Sequence, residues 1–278
     1  MVSMTIWICA TCGIEHPDTE APPSSCAICL DARQYVPATG QRWTHQLKLS
    51  ADGHRMHVEP LEPGLHGLSV SPRLAIGQRG LLVCTNEGNL LWEPPGFLDE
   101  ETLAAVQERG GVDAISASHP HLTGASIQWS HAFNRAPVWV ASADRAWIRR
   151  PDPVIELWSG VHEVLPGLTM IQCGGHFAGS SVVHWATGAA GKGTMLSGDT
   201  IQIGADRASV SAMRSYPNNI PLPARSIRRI LEATTAYDYD RIYSAFAVIE
   251  QGAKPVVESS LSRYMDWVQG NVPDEPDR

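Results

Sequence analysis

The chain has 278 residues, a length that allows one large domain or two unequal ones. Hydrophobic residues make up 43% and charged residues 18%, enough to bury a core, which excludes a disordered chain. A net charge of −8 argues against a nucleic-acid partner, no apolar run reaches the roughly 18–20 residues of a membrane span, and the opening MVSMTIWICAT lacks the features of a secretory signal, so a cytoplasmic location is expected.

Four cysteines come first, as Cys9-x-x-Cys12 and Cys26-x-x-Cys29; Cys84 and Cys173 stand alone in apolar runs and read as small core residues. In a large chain without a signal, paired CxxC turns read as metal ligands and not as disulfides. Each turn aims two thiolates at one point, and two turns complete a tetrahedral site. Residues 1–36 are too short for a core of their own and need the metal as a staple. Pro37-Ala38-Thr39-Gly40 reads as a linker, and residues 41–278 as the large domain.

Short strands are predicted over Arg42–Leu49, Leu65–Val70, Gly80–Cys84 and Asn89–Trp92, the last two joined by the hairpin signal Thr85-Asn86-Glu87-Gly88. A helix opened by Asp99 and closed by Gly110-Gly111 follows, then a buried strand, Ala114–Ala117, ending at His119. Val138–Ala141, Val154–Trp158, Leu168–Gln172, Val182–Trp185 and Thr194–Leu196 are further strands. Helical stripes appear at Ile227, Ile230, Leu231 and Thr234, and at Val257, Leu261, Tyr264, Met265 and Val268. The Pro- and Asp-rich tail Val272–Arg278 is expected to fray. Two strand-rich halves with flanking helices suggest an α/β (α+β) architecture, two packed sheets covered by helices.

Chemistry-bearing residues gather in three segments. Ser118-His119-Pro120-His121-Leu122-Thr123-Gly124 follows a buried strand, and its two imidazoles can face one ion. Cys173-Gly174-Gly175-His176-Phe177-Ala178-Gly179-Ser180 sets a histidine in a glycine-rich turn about 55 residues later. Ser197-Gly198-Asp199-Thr200 displays a carboxylate at the end of an apolar strand about 23 residues further on.

This order of segments resembles the metallo-β-lactamase superfamily over roughly Gln41 to Gly270. The resemblance implies a four-layer αββα sandwich with metals at one edge of the two sheets. It also implies that His119, His121 and His176 are ligands of the first metal, and that Asp199 is the carboxylate that bridges to a second. The N-terminal segment is similar to a small rubredoxin-like zinc ribbon with Cys9, Cys12, Cys26 and Cys29 as ligands; that family takes zinc for structure or iron for electron transfer. Four-thiolate ligation suits both ions, and zinc is the expectation.

The departures from the pattern matter equally. Where the family's HxHxDH motif ends in Asp and His, this chain has Thr123 and Gly124, neither of which supplies the ligand. The family's last histidine would follow the stretch Arg241–Phe246, and no histidine occurs after His184. One site therefore survives, with Zn, Fe or Mn as its ion and Asp199 as fourth ligand or proton acceptor. Three ligands and an open position lower the pKa of water to roughly 7, which gives a hydroxide nucleophile. The expectation is a mononuclear metal-dependent hydrolase acting on an ester, thioester, lactone or phosphodiester. Two alternatives stay open: a redox protein with an iron-loaded ribbon, and a metal-bearing interaction module without turnover. A small-molecule substrate is the expected partner, with a homo-oligomer left open.

Tyr216 and Asn218, in a turn-rich loop after the Asp199 strand, are candidate substrate contacts. His131 reads as a surface or outer histidine, His184 as structural, and Arg225, Arg228 and Arg229 as a solvated helix face. Thr123→Asp combined with Gly124→His is expected to restore part of the second site.

Overall fold

Alternation along the strands decides the layers. In the computed structural model, which describes residues 4–272, Leu81 and Val83 of the strand Gly80–Thr85 join one buried cluster while Leu82 joins another. In the adjoining strand Gly88–Trp92, Leu90 and Trp92 take the first side and Leu91 the second. Successive side chains of a strand point to opposite faces, so a strand apolar on both faces must be covered on both. The first side is the seam between two sheets, where Leu65, Leu90 and Trp158 meet Met170, Val183 and Leu196. The outer face of the first sheet is covered by Val106 and Trp129 from helices, and that of the second by Ile227, Ile230, Val257 and Leu261. The result is the expected αββα sandwich.

The first sheet has seven strands in the spatial order Ile155–Trp158, Val138–Ala141, Ala114–Ser116, Gly88–Trp92, Gly80–Thr85, Leu65–Ser71 and Arg55–Glu62. The second has six: Val161–Leu165, Leu168–Gln172, Ser181–Trp185, Thr194–Gly198, Arg241–Ser244 and Val248–Ile249. A buried ion pair clasps the sheets together. Glu62 Oε2 accepts from Arg241 Nη1 at 2.6 Å and its Oε1 from Thr194 Oγ1 at 3.3 Å.

The predicted strand Arg42–Leu49 is corrected. Only Trp43–Thr44 is extended, and Gln46–Ala51 is a helix whose first turn is capped by the His45 ring accepting from Lys48 N–H. Histidine is outside the usual set of capping residues, so the start signal was absent. Arg55–Glu62 was missed because Pro60 breaks its pattern; it lies at the sheet edge, where a missing N–H is tolerated. Helix Ser126–Ala132 and strand Val161–Leu165 were also missed. The tail expected to fray falls, from 273 onward, outside the described residues.

The N-terminal residues form a three-stranded sheet in the order Glu15–Thr19, Thr5–Cys9, Trp43–Thr44. Among the described residues, the buried apolar ones around the four cysteines are Ile14 and Ile28, with Trp43 and Trp147 packed alongside, while Ile8 of the same sheet packs into the core of the large domain. Fully buried aliphatic side chains contribute about 1.5–3 kcal/mol each, whereas ordering each backbone residue costs about 1–2 kcal/mol. Packing alone does not hold such a module, so a metal or docking must.

Both are provided for. The Sγ atoms of Cys9 and Cys29 stand 3.5 Å apart and those of Cys12 and Cys26 3.7 Å apart. Thiolates about 2.3 Å from a tetrahedral ion lie about 3.8 Å from one another, so the cluster fits a four-thiolate ion with little movement. His16 Nε2 lies 3.7 Å from Cys26 Sγ, and the His16 ring is held edge-on by Trp43. Docking centres on Glu15, whose carboxylate accepts from Ile127 N–H at 2.5 Å and from Arg150 Nη1 at 2.6 Å.

Candidate metal centre

The strand Ala114–Ser116 leads through a bend to His119, whose own backbone is extended (φ −168°, ψ 171°). Pro120 then opens a single 3₁₀ turn that carries His121. A proline at the first turn position is pre-set for that geometry. His176 arrives from the second sheet on Gly174 and Gly175, with φ of +68° and +95°. The bend is available only to glycine without strain, and a Cβ on Gly174 would strike the Arg229 guanidinium. Arg225, Arg228 and Arg229 are all exposed, as a solvated helix face requires, and Arg229 also donates from Nε to the Cys173 carbonyl at 2.6 Å, bracing the turn that delivers His176.

One ring nitrogen from each of His119, His121 and His176 lies within 4.8 Å of the others, and all three residues are buried. Among the described residues, only this trio and the four cysteines form groups that could hold a metal ion. His119 Nε2 and His121 Nε2 are buried without any hydrogen-bond partner. A buried unpaired nitrogen is expensive unless something satisfies it, and two aimed at one point fit a cation. On two of the rings the second nitrogen is engaged: His119 Nδ1 lies 2.9 Å from Ser118 Oγ, and His176 Nδ1 lies 3.0 Å from the Met213 carbonyl. Such outer contacts fix which imidazole nitrogen faces a metal.

Burial pushes the imidazole of His119 well below its ordinary pKa, His121 to about 3 and His176 to about 4, with further lowering from His176 on the first two. Neutral imidazoles are the ligand form at pH 7. Asp199 Oδ2 stands 3.9 Å from His119 Nε2, and burial raises its carboxyl to about 7.

Behind His119 lies a group the sequence reading missed. Glu93, fully buried, accepts at Oε1 from Ser118 Oγ at 2.5 Å, and Ser118 in turn touches His119. Burial, then the nearby Asp199 charge, raises Glu93 to about 8 against the pull of its Ser118 hydrogen bond. The signal was present: a carboxylate interrupts the apolar run of Leu90-Leu91-Trp92-Glu93 at a strand end.

The two positions that depart from the family motif have structural consequences. Thr123 Oγ1 donates to the Pro120 carbonyl at 3.1 Å, closing the His121 turn. Gly124 has φ +50°, and a Cβ there would collide with the Pro94 carbonyl. Its own carbonyl accepts from Glu15 N–H of the ribbon at 3.1 Å. The expectation that Gly124→His would help restore a second site is therefore corrected, because neither the backbone nor the neighbours admit a side chain.

Tyr216 Oη donates to the Asp199 carbonyl at 2.9 Å, and its ring lies 5.4 Å from that of His176. The Asn218 amide donates to the Ala32 carbonyl at 2.6 Å and so ties its loop to the ribbon. His131 pairs with Asp152 at 3.0 Å on the surface, and His184 binds the Asp238 carbonyl, both away from the trio. Burial raises the Cys173 thiol to about 12, as befits a core residue. His121, Asp199 and Tyr216 open onto a cleft of about 1190 Å³, whose other walls include Arg33 and Tyr35 of the ribbon and Phe246 after the strand Arg241–Ser244.

The fold and this site place the chain in a known class. It resembles the DIM-1 metallo-β-lactamase at a TM-score of 0.56, with 13% identity, covering 76% of this chain and 98% of that one. The metallo-β-lactamase FIM-1 from Pseudomonas aeruginosa, in its mono-zinc form, gives 0.56 with 11% identity over 76% of this chain and 96% of that one. VMB-1 gives 0.55 with 14% identity over 78% and 98%. The fold is that of the metallo-β-lactamases. Among curated proteins, the uncharacterized protein YmaE of Bacillus subtilis (strain 168) is 39% identical over 265 residues, 94% of this chain and 96% of that protein; the chain belongs to the same family as YmaE. No protein-family profile matches the chain. No described helix is long and apolar enough to cross a membrane.

Proposed function

We propose that the chain is a mononuclear metal-dependent hydrolase of an ester, thioester, lactone or phosphodiester, with zinc in the ribbon. The observation that carries this reading is the pair of buried, unpartnered nitrogens on His119 and His121, converging with His176 beside a cleft wide enough for a substrate. A divalent ion on three neutral imidazoles supplies Lewis acidity and a nucleophile derived from water at neutral pH.

The chain's own residues supply the rest. His119, His121 and His176 would hold the ion, with Nδ1 of His119 and of His176 already engaged by Ser118 and by the Met213 carbonyl. Asp199, 3.9 Å from His119, would supply a fourth ligand or a proton acceptor for the attacking water. Tyr216 holds the Asp199 backbone, and Glu93 with Ser118 orients His119. The absence of Asp and His at positions 123 and 124 supports a single ion, as does the collision a Gly124 side chain would meet.

The test is elemental analysis of the purified chain together with a hydrolysis screen over the four bond classes. One ion in the large domain, and turnover that disappears in His121→Ala, is expected. A chain that binds the ion and cleaves none of them favours the interaction module. A visible ferric-thiolate spectrum would favour the redox reading.

A further inference from the structure

Arg33 of the ribbon touches the histidine trio directly. Arg33 stands four residues past Cys29, in a turn that the Cys26 carbonyl helps to pin by accepting from Leu30 N–H at 3.0 Å. Its Nε and Nη2 grip both oxygens of Asp31 at 2.6 and 2.7 Å. That leaves Nη1 free to donate to the His176 carbonyl at 3.0 Å, an oxygen that also accepts from Arg214 Nη1 at 3.2 Å. The guanidinium also lies 3.4 Å over the Phe177 ring. Phe177 in turn packs against all three imidazoles, at 5.4 Å from His119, 4.7 Å from His121 and 5.2 Å from His176. The adjoining Ala32 carbonyl is fixed from the other side by Ser215 Oγ at 2.7 Å and by Asn218.

We propose that Arg33 is a positioning residue for the three-histidine centre, and that through it an occupied thiolate site raises the metal affinity of the imidazole site. The physical basis is a chain of contacts with no loose link. The thiolate knuckle fixes the Asp31–Arg33 turn, Arg33 fixes the His176 carbonyl and the Phe177 ring, and these set the convergence of the imidazoles. A bidentate grip spends two donors on Asp31 and holds the guanidinium plane flat on the ring, a geometry lysine cannot reproduce. Coupling between two sites is reciprocal, so metal at the trio must steady the ribbon by the same factor.

The inference rests on the metal reading given above, and one experiment separates the two. Full-length protein with the ribbon loaded is titrated with cobalt(II), whose thiolate and imidazole complexes differ in absorption, and the cobalt is then competed with zinc. Arg33→Ala and Arg33→Lys are compared with the native chain and with Arg241→Ala, which breaks the clasp between the sheets far from Arg33. Outer partners of metal ligands are typically worth about 10–100-fold in affinity. Arg33→Ala should therefore weaken the trio by at least about tenfold while the ribbon keeps its ion, with Arg33→Lys between the two. Arg241→Ala should lower the melting temperature and leave the trio's affinity unchanged. If Arg33→Ala merely lowers the melting temperature or frees the ribbon, with the trio's affinity unchanged, the proposal is overturned and the metal reading stands. Should Arg33→Ala not fold, Arg33→Lys with native affinity overturns it equally. A native trio that takes no ion overturns both.

Discussion

The two clusters of metal-binding side chains are built in opposite ways. The thiolate cluster draws on two short turns within 21 residues, Cys9 to Cys29, and has hardly any apolar core beneath it. The histidine trio joins two sheets; all three imidazoles are buried, and those of His119 and His176 are also held by outer hydrogen bonds. A local cluster on a poor core needs its ion in order to fold, whereas a cluster seated on a finished core is shaped before its own ion arrives. Loss of metal should therefore unfold the first and merely empty the second.

The largest effect should come from Cys26→Ser. Structural zinc contributes about 10–16 kcal/mol in small modules, so the variant should lose the ribbon ion and expose the first 44 residues to protease. Retention of both the ion and the protection would break the contrast. His121→Ala should lose the ion of the trio, abolish hydrolysis and leave the ribbon ion and the cooperative melt in place. A melt that collapses with it would mean that the trio, too, depends on metal.

Glu62→Ala should act on the scaffold alone. Removing one partner of a buried ion pair costs about 3–5 kcal/mol, because Arg241 is left uncompensated. Both ions should stay bound while the melting temperature falls.

Glu93 gives a smaller, pH-dependent effect. Its carboxyl ionises near 4.5 in the unfolded chain but only near 8 in the folded one, so unfolding releases a proton between these values. The unfolded state then binds fewer protons, and stability must fall as pH rises across that window. In the His121→Ala background, Glu93→Gln should flatten the decline in melting temperature between pH 5 and 8; an unchanged slope would place the titration elsewhere. The smallest effect is expected of Thr123→Asp, which should take up no second ion. An anomalous-diffraction map with two ions about 3.5–4 Å apart would refute the single-ion reading.

How much of this was legible varies with the kind of interaction. The hairpin at Asn86-Glu87, the helix capped by Asp99 and the strand leading to His119 were readable because turn, cap and alternation are local rules. Arg42–Leu49 misled because a histidine caps the helix, and Arg55–Glu62 because its proline is tolerated only at an edge, which no single strand reveals. Arg229 is solvent-facing as its helix pattern implied, but the turn it braces could be seen only once the second sheet was folded.

The sequence by itself determined which side chains could ligate and in what order. The CxxC pairs, the His-x-His turn, the glycine-flanked His176 and Asp199 are chemistry and spacing, and spacing survives without coordinates. Tertiary structure alone decided that Glu93 stands behind His119, that Gly124 is closed by the Pro94 carbonyl, and that Arg33 lies on Phe177, 144 positions further along the chain. The reason is physical: those contacts join segments whose separation in sequence carries no rule, and they exist only once two sheets and a ribbon have excluded water between them.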